Sequence, residues 1–330
     1  MAPVRPGTRS RAPHCARLSA TLDTPRTVRV TEPVNRTNAE IASQPEVWRR
    51  ALADAHDSGM LPPPGERALL LGCGTSAFVA QAAAWLREQA GQGETDWAYA
   101  SEVPPGRRYD HVVAFTRSGT TTEVLDVLGE HPRARRVVVT GVPDSPAAAF
   151  ADHVVDLGYA DEESVVQTRF PTAVLALWRT ALGEDLTPAL ADLDQALAEP
   201  LVDLPPYRHF VYLGRGWTVG LAQEAALKMR ECAQAWAESF PALDYRHGPL
   251  AAAGATTLVM SLGGVDTDLL ADVEVTGATV LDPPYDPMAR LVTCQRLAVA
   301  LADHRGLDPD EPRHLSRSVV LDTSLSEEPA

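Results

Sequence analysis

The residues of this 330-residue chain best suited to acid–base chemistry lie between positions 224 and 249, EAALKMRECAQAWAESFPALDYRHGP. Glu224, Lys228 and Glu231 are spaced i, i+4, i+7, so a helix would line two carboxylates and an amine along one face. His247 follows Glu231 by sixteen residues, and Gly248-Pro249 then breaks regular structure. Of the 29 lysine and arginine residues, Lys228 is the only lysine. A chain that uses arginine everywhere else places lysine where a compact, deprotonatable charge is wanted. An ordinary Glu–Lys pair on a helix surface would contribute only about 0.2–0.5 kcal/mol; the lone lysine and the HGP turn argue for more.

A second set of candidates lies in two hydroxyl-rich turns. GCGTS (72–76) follows the apolar run ALLLG, and TRSGTT (116–121) closes and follows the apolar run HVVAFT. Ser76, Thr116, Ser118 and Thr121 would sit where a strand ends and a helix begins, the place where free backbone N–H groups and the helix dipole favour an anion. Hydroxyls there can also serve only as helix caps. Two such turns, on strands that a parallel sheet would set side by side, favour a phosphate cradle. GCGTS lacks the Lys-Ser/Thr pair of a Walker A loop and the last glycine of G-x-G-x-x-G, which disfavours a nucleotide.

Those side chains need a scaffold. Residues 39–56 read as a helix. Short buried runs at 68–72, 111–116, 135–141 and 153–158 read as strands, separated by helical stretches at 77–90 and 122–130, with a further helix within 164–182. The pattern recurs: FVYLGRG (210–216) followed by WTVGLAQEAALKMRE matches ALLLGCG followed by TSAFVAQAAAWLRE, with Gln81 and Gln223 at the same offset as the glycines. TTLVMS (256–261), ATVLD (278–282) and a helix over 288–306 complete the second copy. The expectation is α/β, as two similar three-layer α/β/α domains, each with a mainly parallel sheet. The first spans 39–198 and carries the anion turns; the second spans 199–322 and carries the acid–base helix. That division implies one site built from both. Residues 1–38 show no periodicity and read as a disordered extension, and 323–330 as a tail.

The formal net charge of −15 argues against nucleic acid or an anionic membrane as partner, while a local site can still bind a small anion. Cys15, Cys73, Cys232 and Cys294 form no C-x-x-C pair, so free thiols in a reducing cytosol are expected. No apolar run is long enough to span a membrane, and the arginine-rich start lacks the apolar core of a secretory signal. A cytoplasmic location is the expectation.

Taken together, GCGTS, TRSGTTTE, ESVVQT (163–168) and EAALKMRE…RHGP resemble the sugar isomerase (SIS) family, in its double-domain branch. That branch includes the isomerase half of glucosamine-6-phosphate synthase and amino-sugar phosphate deaminases. The likeness covers residues 39–322. It implies that Glu231 is the base moving a proton between C1 and C2 of an open-chain sugar, and that His247 assists ring opening from the other subunit of a homodimer. It implies that Glu224 and Lys228 support that face. Ser76, Thr116, Arg117, Ser118 and Thr121 would hold the substrate phosphate, with Thr75 and Gln167 near the sugar. No cofactor and no metal is implied. The segment DEPRHLSRSV (310–319) resembles the synthase tail, but Arg317 stands where the synthase has an imine-forming lysine. No glutamine-handling domain precedes residue 39, so the glutamine-dependent synthase reaction is not expected. Ring opening and proton transfer on a hexose or hexosamine 6-phosphate remain, with release of ammonia from an amino sugar. The alternatives are a non-catalytic sugar-phosphate sensor and a deglycase of sugar–amine 6-phosphate adducts.

Overall fold

A computed structural model describes residues 27–28 and 35–321. A two-residue strand β1 (Thr27–Val28) is followed by helices α1 (Arg36–Ala42) and α2 (Gln44–Asp54). These replace the single helix expected over 39–56. Pro45, at the start of α2, has no N–H to donate, so it opens a new helix rather than continuing the old one. The start of α1 at Arg36, capped by the side chain of Asn35, also corrects the reading of 36–38 as disordered. Apart from β1, residues 1–34 and the tail from 322 lie outside the described residues.

The first sheet then forms. Its elements are β2 (Ala68–Gly72), α3 (Thr75–Gln89), β3 (Thr95–Tyr99), β4 (His111–Phe115), α4 (Thr122–Glu130), β5 (Arg135–Thr140) and β6 (His153–Asp156). All five strands are parallel, in the order β3-β2-β4-β5-β6. Helices α5 (Arg169–Ala181) and α6 (Thr187–Ala198) and the short strand β7 (Leu201–Val202), which pairs with β1, lead to the second sheet. That sheet contains β8 (His209–Gly214), α7 (Thr218–Ala233), β9 (Trp236–Pro241), β10 (Thr257–Ser261), α8 (Thr267–Val275) and β11 (Thr279–Leu281). The helix α9 (Pro287–Arg305) follows. Its strands are again all parallel, in the order β9-β8-β10-β11. Strand for strand this is the order β3-β2-β4-β5, so the repeat legible in the sequence is also a repeat of topology.

Alternate residues of each strand face different cores, as the period of two requires. Leu69, Leu71, Val112, Ala114 and Val138 pack with Val124, Val127 and Leu128 of α4. Leu70, Val113, Phe115, Val137 and Val139 point the other way, into a large core that also holds Phe210, Tyr212, Leu258 and Met260 from the second sheet. Val211, Leu213 and Val259 face α8 through Leu269 and Val273. A layer of helices from both halves, α3, α5, α7 and α9, therefore lies between the two sheets. Trp178 of α5 is fully buried there, edge-on to Phe115, with its indole N–H donated to the Ala83 carbonyl at 3.0 Å.

Helices α3 and α7 meet within this layer. At Gly220 an added Cβ would lie 2.4 Å from the Phe78 carbonyl oxygen. Only glycine allows the two backbones to come so close. This contact brings the anion turn at the start of α3 alongside the acid–base face of α7.

Candidate active site

Helix α7 is rich in alanine and leucine and ends on Gln234 in the left-handed conformation, whose N–H returns to the Arg230 carbonyl. One face presents Glu224, Lys228 and Glu231, as the spacing predicts. Glu224 and Lys228 are almost wholly buried, whereas the side chain of Glu231 keeps 18% of its exposure. The Lys228 ammonium lies 2.6 Å from Glu231 Oε2, 3.3 Å from Glu224 Oε1 and 3.1 Å from Thr75 Oγ1. One compact ammonium with three donors thus ties two carboxylates to a hydroxyl on the other half of the molecule. An arginine, with its larger planar fork, would not be a conservative replacement at the centre of such a cluster.

The electrostatics follow from burial. Desolvation pushes the Glu224 carboxyl up to about 7, against the opposing pull of Lys228 and with the help of Glu231. Burial draws Lys228 down, but the two carboxylates outweigh it and hold the ammonium above its ordinary value. Neither Glu224 oxygen has a well-aligned hydrogen bond among the described residues, so this carboxyl can still accept one.

Thr75 opens α3, and its neighbour Ser76 lines a small polar pocket together with Thr116, Ser118, Thr121 and Gln167. The cradle residues foreseen in the two turns therefore do share one cavity. Thr121 is the N-cap residue of α4, and its side chain makes no capping bond. Thr116 Oγ1 accepts from the Gly119 N–H at 3.2 Å, and Ser118 Oγ from Thr120 Oγ1 at 3.0 Å. Gly119 has φ 65°, and a Cβ there would fall 1.8 Å from Ser145 Oγ, so the turn needs glycine twice over. Gln167 Oε1 is buried and unpartnered among the described residues.

Two expected residues behave differently. Arg117 lines the pocket, but its terminal nitrogens donate to the carbonyls of Ser164 (2.9 Å), Val165 (3.2 Å) and Arg317 (3.0 Å). It fastens loops together, and only its Nε is unpartnered. His247 is exposed, at the end of a 3-10 turn after β9. The last residue of β9, Pro241, pairs with Gly214 just ahead of α7. Glu231 lies thirteen residues along that helix, about 20 Å away at 1.5 Å per residue. Within one chain, His247 and Glu231 are at opposite ends of α7.

Sequence reasoning missed the supports behind this site. The buried Glu162 carboxylate accepts from the Thr168 hydroxyl (2.7 Å) and the Arg169 N–H (2.8 Å), capping α5 and shaping the loop that carries Gln167. Burial raises its carboxyl, partly offset by Arg117. Glu40 of α1 accepts from the N–H of Glu163 at 2.6 Å and from the Ser164 hydroxyl. Glu40 meets partners more than 120 residues on, which no spacing announces; Glu162 meets Thr168 and Arg169 six and seven residues on, a local contact that carries no helical or strand period. Among the described residues no cluster suited to a metal ion occurs, and no helix is long and apolar enough to cross a membrane.

The glutamine–fructose-6-phosphate aminotransferase [isomerizing] of Thermosynechococcus vestitus is 27% identical over 322 residues, covering 77% of this chain and 51% of its own length. That of Methanothermobacter thermautotrophicus is 27% identical, covering 86% of this chain and 57% of its own. The chain thus spans about half the length of these curated relatives. Among solved structures, glucosamine-6-phosphate deaminase from Thermotoga maritima superposes with TM-score 0.75 at 27% identity, covering 87% of this chain and all of its own. Tagatose-6-phosphate ketose/aldose isomerase from Escherichia coli shares the fold, with TM-score 0.69 at 19% identity, over 88% of this chain and 98% of its own. The SIS domain family model matches residues 64–181, and the chain carries a SIS domain over that stretch, which holds the first sheet and both hydroxyl-rich turns.

Proposed function

We propose that this protein is an isomerase or deaminase of hexose or hexosamine 6-phosphates, working by ring opening and proton transfer between C1 and C2. The observation that carries the reading is the link from Glu231 through Lys228 to Thr75, beside the Ser76 wall of the cradle. The ester phosphate binds among Ser76, Thr116, Ser118 and Thr121. Glu231, the most accessible carboxylate of the cluster, takes the proton from C2 of the open-chain aldose and returns it to C1. Lys228 orients that carboxylate, and its positive field favours the enediolate oxygen. With an amino group on C2, the same transfer gives a C2 imine; water adds to that carbon and ammonia leaves, yielding the ketose phosphate.

The 199–322 half is read as a second domain of the same type, supported by the shared strand order. His247 would complete the site from a second copy of the chain, since its own Glu231 is out of reach. Arg317 supports hydrolysis over glutamine-dependent synthesis, because a guanidinium cannot form an imine with the ketose. A sensor would not need two buried ionisable groups beside a partly exposed third, since burying them is costly; their presence supports catalysis.

The test is ammonia and ketose release from glucosamine 6-phosphate, with fructose 6-phosphate, tagatose 6-phosphate and unphosphorylated glucosamine alongside. Turnover of a phosphorylated sugar that is lost in Glu231→Gln supports the reading. No turnover across the panel, or full activity in Glu231→Gln, would overturn it.

A further inference from the structure

Residues 310–321 contain neither helix nor strand, yet they are bonded to the rest of the protein at both ends and at Arg317. At one end the Asp310 carboxylate accepts from the Thr37 N–H (2.8 Å), the Thr37 hydroxyl (2.7 Å) and the Arg36 N–H (2.9 Å) at the start of α1. Its carbonyl accepts from the Val165 N–H at 3.1 Å. At the other end the segment meets the first residues of α4. Ser318 Oγ and Thr120 Oγ1 share a hydrogen bond of 2.6 Å. The Val319 carbonyl accepts from the Thr122 N–H at 3.3 Å, and the Leu321 N–H donates to Thr122 Oγ1 at 2.9 Å.

Between these ends sits Arg317. Its Nη2 lies 2.5 and 2.7 Å from the two carboxylate oxygens of Asp161, and its Nη1 donates to the Glu162 carbonyl. Its own carbonyl accepts from Arg117. Leu315, Val319, Val320 and Leu321 are all at least 48% exposed, so this strap gains little from apolar burial. Polar contacts hold it. From residue 312 onward, the Arg317–Asp161 pair is the only contact between opposite charges among the described residues.

We propose that Arg317 is the latch of this strap, a positioning residue that grips Asp161 and so seats residues 316–321 against α4, fixing the turn 116–121 for an anionic substrate. The proposal rests on the reading of that turn as the phosphate site. Asp161 balances the guanidinium charge, so Arg317 contributes geometry rather than net attraction. The planar fork matters: it engages the carboxylate and the neighbouring carbonyl together, which a lysine cannot reproduce.

The experiment compares the parent chain with Arg317→Lys, Asp161→Asn and the charge swap Asp161→Arg/Arg317→Asp. Amide hydrogen exchange is followed in the free protein, and KM and kcat for a turned-over sugar phosphate are measured. Each single variant should speed exchange at Thr122 and Leu321 about tenfold and raise KM about tenfold, the scale of a partly exposed charged contact. kcat should change little, and the swap should recover much of both losses. Unchanged exchange overturns the latch. Faster exchange with unchanged KM overturns the positioning role. The exchange arm uses no substrate, so it decides the latch even if the proposed reaction is not found. A variant that also loses protection in β2 and β8 has unfolded more widely, and the charge swap then carries the test.

Discussion

Lys228→Met tests the buried cluster directly. Methionine keeps the length of the stem but removes the ammonium from between Glu224 and Glu231. Glu224 is about 1% exposed, and Lys228 is its only ion-pair partner among the described residues, so its charge is left uncompensated. Removing one partner of such a buried pair costs about 3–5 kcal/mol. For 330 residues, at about 2.1 cal/mol/K of unfolding entropy per residue, that is a fall in Tm of about 4–7 °C. The fall should depend on pH, and its sign can be worked out. Burial already raises the Glu224 carboxyl to about 7 in the parent. Its contribution to stability is therefore whole below the ordinary glutamate value and is lost as pH rises through about 7. Without the ammonium the carboxyl rises further, and the loss extends to higher pH. Thermal melts near pH 5 and pH 8.5 should show a small deficit at the acid end and the full one at the alkaline end. Equal deficits at both, or a Tm within about 1 °C of the parent throughout, would refute the reasoning.

Other outcomes are expected. Glu231→Gln should lower kcat about 10²–10⁴-fold with KM little changed, read by coupled assay, since it removes the proton carrier and leaves the cradle intact. Ser118→Ala with Thr121→Val should raise KM for the phosphorylated sugar and weaken calorimetric binding of inorganic phosphate, while the melting curve moves little. Gly220→Ala should destabilise by about 1–3 kcal/mol in denaturant titration, because the added methyl meets the Phe78 carbonyl and α3 and α7 must separate. Arg87→Met should destabilise at least as much. Its buried guanidinium serves carbonyls of Pro63, Glu66 and Gln92 at 2.9–3.0 Å; all three would lose that donor, although Pro63 and Gln92 each keep a backbone N–H.

The parts legible in the sequence were those with a local signature. Central strands are buried on both faces, so ALLLG and HVVAF appear as unbroken apolar runs. The face of α7 follows from helical periodicity alone. The edge strands β3 and β9 were missed because TDWAY and WAESFP mix polar and apolar residues, as a strand with one unpaired side can. Helices α6 and α8 were missed too; neither carries a chemical motif. The resemblance implies that Arg117 is a phosphate ligand, yet its partners are carbonyls from a loop 47 residues on and a segment 200 residues on. No pattern of spacing encodes such long-range contacts. The position of His247 relative to Glu231 was equally hidden, because it depends on the length of α7 and the direction of β9.

The close seat of α3 on α7 has one more consequence. Ser76 rides on the first helix and Glu231 on the second, so the span between the proposed ester anchor and the proposed base works like a caliper whose hinge is solid protein. Selection for substrates of a different length would have to move helices rather than trim loops. Substitutions that resize the jaws should therefore appear at small residues such as Ala82, Gly220 and Ala222, deep beneath the chemistry and touching no ligand.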